Sequence, residues 1–127
     1  MPAAPRRVPA SALETFAAGL FRFHGLPAAD AETVAHTLVL ADLRGVDSHG
    51  VLRAGVYVER LKRGLINPMP KIRTLQEGPA TALLDGDNGM GAVVATAAMR
   101  LALERARATG MGAVAVRRGN HYGMTAT

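Results

Sequence analysis

The chain has no cysteine among its 127 residues. That excludes a disulfide framework, a thiolate nucleophile and any thiolate metal site. Aromatic residues are also scarce, three Phe and two Tyr, so the core must be filled by Ala, Leu, Val and Met. The four histidines, His24, His36, His49 and His121, show no His-Glu-x-x-His spacing, and no metal site is expected. No apolar run reaches the ~18 residues that a membrane-spanning helix needs. The opening Met-Pro-Ala-Ala-Pro-Arg-Arg invites comparison with a secretion signal, but Glu14 and an amphipathic pattern interrupt the segment after it. A cytoplasmic protein with no membrane partner is expected.

Apolar residues make up 49% of the chain, which suits one folded core and argues against disorder. The formal charge of +5 raises nucleic acid as a partner. The basic residues are dispersed, however: Arg60, Lys62 and Arg63; Lys71 and Arg73; Arg100, Arg105 and Arg107; Arg117 and Arg118. Interleaved with apolar positions, they have the pattern of solvated helix faces, and no nucleic acid is expected.

Three helices are expected first. Ser11 to Glu14 form a capping-box pattern ahead of Leu13, Phe16, Ala17, Leu20 and Phe21 at helical spacing, giving a helix over about 12–23 stopped by Gly25. His24 at its end suits a capping role, and His36 a surface position. Pro27 opens a second helix with Ala31, Val34, Leu38 and Ala41 on its stripe, ended by Gly45. Asp47 or Ser48 can cap a third, carrying Val51, Leu52, Val56, Val58 and Leu61 to Gly64.

Beyond Gly64 the character changes. Ile66-Asn-Pro-Met-Pro70 marks a boundary, Lys71–Gln76 alternates like a half-buried strand, and Thr81–Leu84 pairs antiparallel to it. A glycine-rich loop, Asp85 to Gly91, leads into a long helix over about 92–108 with Met99 and Leu103 on one face. Gly112–Val116 has the continuous apolar run of a buried strand. The fold class is therefore α+β: a three-helix layer over 1–66, then the start of a mixed sheet with a long helix over 67–127.

Several chemistries fail on spacing. The loop reads Gly86-x-x-Gly89-x-Gly91, not G-x-G-x-x-G, and no acidic residue follows at the ribose position, so Rossmann-type dinucleotide binding is not supported and the loop is read as a turn capping the long helix. Ser48 and His49 are adjacent, which rarely orients a nucleophile and base toward each other, and G-x-S-x-G is absent. Acid–base work fits better. His49 can move a proton near neutral pH, Arg53 on the same helix face can grip a carboxylate through two parallel bonds, and Ser48 can orient either. His121, in the loop after the apolar strand, is a second candidate base. These residues alone leave open a capped helix and a surface loop. A helix-turn-helix DNA-binding module, with helix two, the Gly45-Val46-Asp47 turn and helix three, also stays open, although helix three offers mainly His49 and Arg53 for readout.

Taken in order, Asp42-Leu-Arg-Gly-Val-Asp-Ser-His-Gly-Val-Leu-Arg53, Tyr57, Gly64-Leu-Ile-Asn67, Asp85-Gly-Asp-Asn-Gly-Met-Gly91 and Gly119-Asn-His-Tyr-Gly123 resemble the malate/L-lactate dehydrogenase family of the second type. That non-Rossmann, NAD(P)-dependent group includes ureidoglycolate and sulfolactate dehydrogenases and piperideine-carboxylate reductases. The resemblance implies catalytic roles for His121, His49 and Ser48, carboxylate binding by Arg53, and a nicotinamide bordered by Tyr122, Gly123, Met124 and Thr125. It implies a small 2-hydroxy or 2-keto acid substrate, NAD or NADP as cofactor, and a homodimer in the full-length form. Family members run far longer, with most of the cofactor surface after the His-Tyr-Gly motif. The expectation is an N-terminal fragment that is inactive alone. A non-catalytic subunit remains the third class.

Overall fold

A computed structural model describes residues 6–124. Helices α1 (Ala10–Phe23) and α2 (Ala28–Leu43) form an antiparallel pair, followed by two 3-10 turns at Asp47–His49 and Val51–Arg53 and by α3 (Ala54–Lys62). Strands β1 (Arg73–Glu77) and β2 (Thr81–Asp85), the long helix α4 (Gly91–Thr109) and strand β3 (Ala113–Arg117) complete the chain. The sheet order is β1-β2-β3, antiparallel for the first pair and parallel for the second, so α4 is the crossover of a β-α-β unit. The α+β class with a mixed, non-Rossmann sheet is the one expected.

The core lies between the helices. Phe21 of α1 meets Val34, Ala35 and Leu38 of α2, with Tyr57, Ile66, Met90 and Ala92 in the same apolar cluster. Phe21 and Leu38 are fully buried, contributing roughly 1.5–3 kcal/mol each. The helix stops fall as the glycines direct: Gly25, Gly45, Gly64 and Gly110 all have positive φ.

Local details depart from expectation where tertiary partners decide. Ser11 lies within α1 and makes no capping bond; its carbonyl accepts from the Thr15 hydroxyl instead. Phe16 is exposed, since the buried stripe of α1 runs through Ala17 and Phe21. Leu52 and Val56 also face outward, and the buried anchor of α3 is Tyr57. On α4, Met99 and Leu103 stay exposed while Val94 and Ala98 pack inward.

The strands differ more. β1 is exposed along its whole length, with a bulge between Thr74 and Gln76: α4 packs on β2 and β3 and meets β1 through the Arg105–Glu77 ion pair at its end. β3 is not a buried strand: it is the sheet edge, and only Val114 is partly covered. Continuous apolar character predicts cover on both faces, and among the described residues only α4 supplies it. An open apolar groove of about 640 Å³ runs between α4 and β3 as a result, lined by residues such as Val94, Met99 and Val116. No helix of the described residues is long and apolar enough to cross a membrane.

Candidate active site

The third helix does not begin at Asp47 or Ser48. Two 3-10 turns replace its first turns, separated by Gly50 at φ −86°, ψ −156°. The cause is Asp42, in the last turn of α2. Its Oδ2 accepts from the Val51 amide at 3.0 Å, supplying from another helix the cap that Asp47 and Ser48 do not. Gly50 makes room for this carboxylate: a β-carbon there would lie 1.7 Å from Asp42 Oδ1. Asp42 was missed as a site-building residue, yet it left a signal. An aspartate at a helix C-terminus opposes the helix dipole and so calls for a specific partner.

Within the turns, the adjacent Ser48 and His49 do pair, Ser48 Oγ lying 2.8 Å from His49 Nδ1. Arg53 folds back so that its Nε donates to the Ser48 carbonyl at 2.8 Å. That bond spends one donor and leaves both Nη groups without a hydrogen-bond partner among the described residues. The break in the helix also removes the continuous recognition surface that a helix-turn-helix reader needs.

His121 arrives from the far end of the chain. Its Nδ1 lies 2.7 Å from the Tyr57 hydroxyl, a pairing of residues 64 positions apart. Its ring sits 5.4 Å from that of His49, at an interplanar angle of 31°. Tyr122 stacks beside His121 at 6.4 Å and 20°. The expected residues Ser48, His49, Arg53 and His121 thus converge, with Tyr122 at the margin. Gly123 has φ +90° and Met124 is half-buried, while Thr125 lies outside the described residues.

Tyr57 is the side chain at the site that residue-by-residue reasoning underrated. A buried tyrosine needs a partner for its hydroxyl, which was the available signal. Its ring packs 6.4 Å from Phe21 and its hydroxyl emerges into the site. Burial pushes the Tyr57 phenol up, opposed in part by Arg53, so it stays neutral. Burial also lowers the His121 imidazole, helped by the positive charge of Arg53 and by His49. A base kept neutral beside a guanidinium is suited to accept a proton from a bound hydroxy acid. Among the described residues no group of three or more His, Cys, Asp or Glu side chains could hold a metal ion.

A second polar cluster lies at the end of the sheet. Asp85, wholly buried, accepts from Arg118 Nε at 2.8 Å, from Arg117 Nη2 at 2.9 Å and from the Asp87 amide at 2.9 Å. Those bonds, led by the one from Arg118, hold its carboxyl far below the usual carboxylate range. The glycine-rich loop is therefore no mere cap. Asp87 and Asn88 adopt positive φ, and the loop ties Asn67, Lys71 and Asn120 together.

Comparison with known proteins identifies the family. The chain is 50% identical over 118 residues to a malate dehydrogenase of Pyrococcus abyssi, covering 93% of this chain and 33% of that protein. It is 48% identical over 100 residues to L-sulfolactate dehydrogenase of Methanocaldococcus jannaschii, covering 79% and 29%. The solved malate dehydrogenase of Pyrococcus horikoshii superposes with a TM-score of 0.92 at 48% identity, over 94% of this chain and 34% of that one. The chain therefore spans about a third of the length of these relatives. With the malate/L-lactate dehydrogenase family model matching residues 8–127, the chain belongs to that family.

Proposed function

We propose that this chain forms the substrate-binding part of a nicotinamide-dependent dehydrogenase acting on a small 2-hydroxy or 2-keto acid, with NAD or NADP as cofactor. The observation that carries the reading is the convergence of His121, bonded to Tyr57, with His49 and with the unspent donors of Arg53. The two Nη groups of Arg53 would hold the substrate carboxylate in the fork geometry that a planar guanidinium favours. Ser48 orients the His49 ring, which borders the substrate opposite His121.

The nicotinamide supplies the hydride acceptor when bound. Half-exposed and stacked on His121, the Tyr122 ring offers the flat face such a group would pack against. Gly123 and Met124 continue that border, and the expected fourth residue, Thr125, lies outside the described residues. His121 takes the hydroxyl proton on Nε2, which requires Nδ1 to carry hydrogen and donate to the Tyr57 oxygen. The buried phenol then stays close to the developing imidazolium as an acceptor. In the reverse direction the same Nε2 returns the proton to the new alkoxide. The full-length protein is proposed to be a homodimer.

Substrate binding is testable on the chain itself. Oxamate, a 2-keto acid analogue, should shift the imidazole resonances of His49 and His121 at millimolar concentration. Arg53→Lys should weaken that binding about 10- to 100-fold, the equivalent of losing one charge-assisted hydrogen bond. No shift at either histidine would sink the reading, and an unchanged affinity in Arg53→Lys would remove the carboxylate from Arg53.

A further inference from the structure

The glycine-rich loop is the one prominent sequence feature that the proposed chemistry leaves unused. We propose that it positions His121, acting through Asn120, which serves as a positioning residue clamped between the loop and α3. The inference rests on the reading of His121 as the acid–base group.

Asn120 spends its whole amide on this clamp. Its Nδ2 donates to the Gly89 carbonyl at 2.9 Å and the Asn88 carbonyl at 3.0 Å, with Asn88 Oδ1 at 3.1 Å. Its Oδ1 accepts from Arg60 Nη2 at 3.1 Å. Arg60 lies on α3, the helix that also carries Tyr57. The clamp therefore fixes the residue next to His121 to the same helix that receives the His121 ring.

Gly91, the last glycine of the loop and first residue of α4, completes the seat. The backbone of residues 120 and 121 passes directly over it: a β-carbon at Gly91 would lie 2.1 Å from the His121 carbonyl oxygen and 2.4 Å from that of Asn120. Both obstacles are backbone, so a side chain could be fitted only by moving the His121 segment. The Asn88 amide donates to the Arg118 carbonyl at 2.9 Å, holding the segment two residues before Asn120. Three constraints thus act on consecutive parts of 118–121, and the groups that then face the imidazole are Tyr57, His49, Arg53 and Tyr122.

The test is imidazole nuclear magnetic resonance on the 127-residue chain, which reads tautomer and titration without any need for turnover. In the parent chain His121 should show one dominant tautomer and titrate below the ordinary histidine value of about 6.5. Asn120→Ala should mix the two tautomers and move the midpoint upward, while the exposed His36, paired with Glu14, stays unchanged. Gly91→Ala should act in the same direction. Arg60→Gln, at an exposed position, should give a smaller change of the same sign. Unchanged His121 spectra in Asn120→Ala and Arg60→Gln would overturn the proposal, and if Asn120→Ala fails to fold, Arg60→Gln decides alone. Altered spectra without oxamate binding would instead overturn the proposed substrate-binding reading, leaving the positioning intact.

Discussion

The two polar clusters of this chain use similar residues in opposite ways. Around Asp85, every strong acceptor position is filled: two guanidinium groups and one backbone amide converge on a carboxylate with no solvent exposure. Around His121 the bonds orient the rings, and among the described residues their outward nitrogens have no hydrogen-bond partner. Among the described residues His49 and His121 each spend Nδ1 internally, and Arg53 spends only Nε. A saturated cluster stabilises a fold, whereas a cluster with reserved donors and acceptors can bind a ligand. That difference in leftover valence, more than the residue types, supports the proposed chemistry at the start of α3 and a structural role for the cluster at the end of the sheet.

The sharpest way to break this comparison is Asp85→Ala. It should give the largest loss of stability, read as a fall in Tm, because Arg117 and Arg118 lose the acceptor that fixes the ends of β2 and β3 together. Stability should also depend on pH with a definite sign. The folded carboxyl is depressed, so its contribution is complete above the unfolded value of about 3.9 and is lost as pH falls through that value toward the folded one. A parent chain whose melting is as acid-sensitive as that of Asp85→Ala would show that the arginine cluster contributes nothing.

A smaller effect should separate the scaffold of the site from its chemistry. Asp42→Ala removes the cap on Val51 and should cost about 1 kcal/mol of stability, measured by urea unfolding. It should also weaken oxamate binding, because the turns that carry Ser48, His49 and Arg53 lose their tether. Stability falling with no change in binding would show that the turns hold their shape without Asp42.

What was legible in the sequence follows the range of the interactions involved. Helix boundaries set by Gly25, Gly45, Gly64 and Gly110 are local, and they were read to within a few residues. The family-bearing residues Ser48, His49, Arg53 and His121 were identified, and the structure brings them together. The start of the third helix was misread because Asp42, a residue of the preceding helix, determines it across Gly50. Burial of β3 was misread because an apolar run records what a strand is built to meet, not what covers it in this chain. The loop at 85–91 was taken for a cap because its partners, Asn67 and Asn120, are remote in sequence.

The smallest predicted effect concerns the charge of Arg53 on His121. Burial is the leading cause of the lowered imidazole value, with Arg53 second and His49 third, and Tyr57 and Tyr122 complete its surroundings. Arg53→Met should therefore raise the His121 midpoint without restoring the ordinary value, since burial remains. The sign carries into stability. Between the folded midpoint and about 6.5 the unfolded chain binds more protons, so stability rises with pH across that window and falls as pH drops through it. In Arg53→Met the window should narrow, flattening the pH dependence of the urea midpoint below about pH 6.5. An unaltered slope would place Arg53 too far from His121 for one substrate to engage both. That outcome would dissolve the contrast between the open cluster and the saturated one more effectively than any loss of stability.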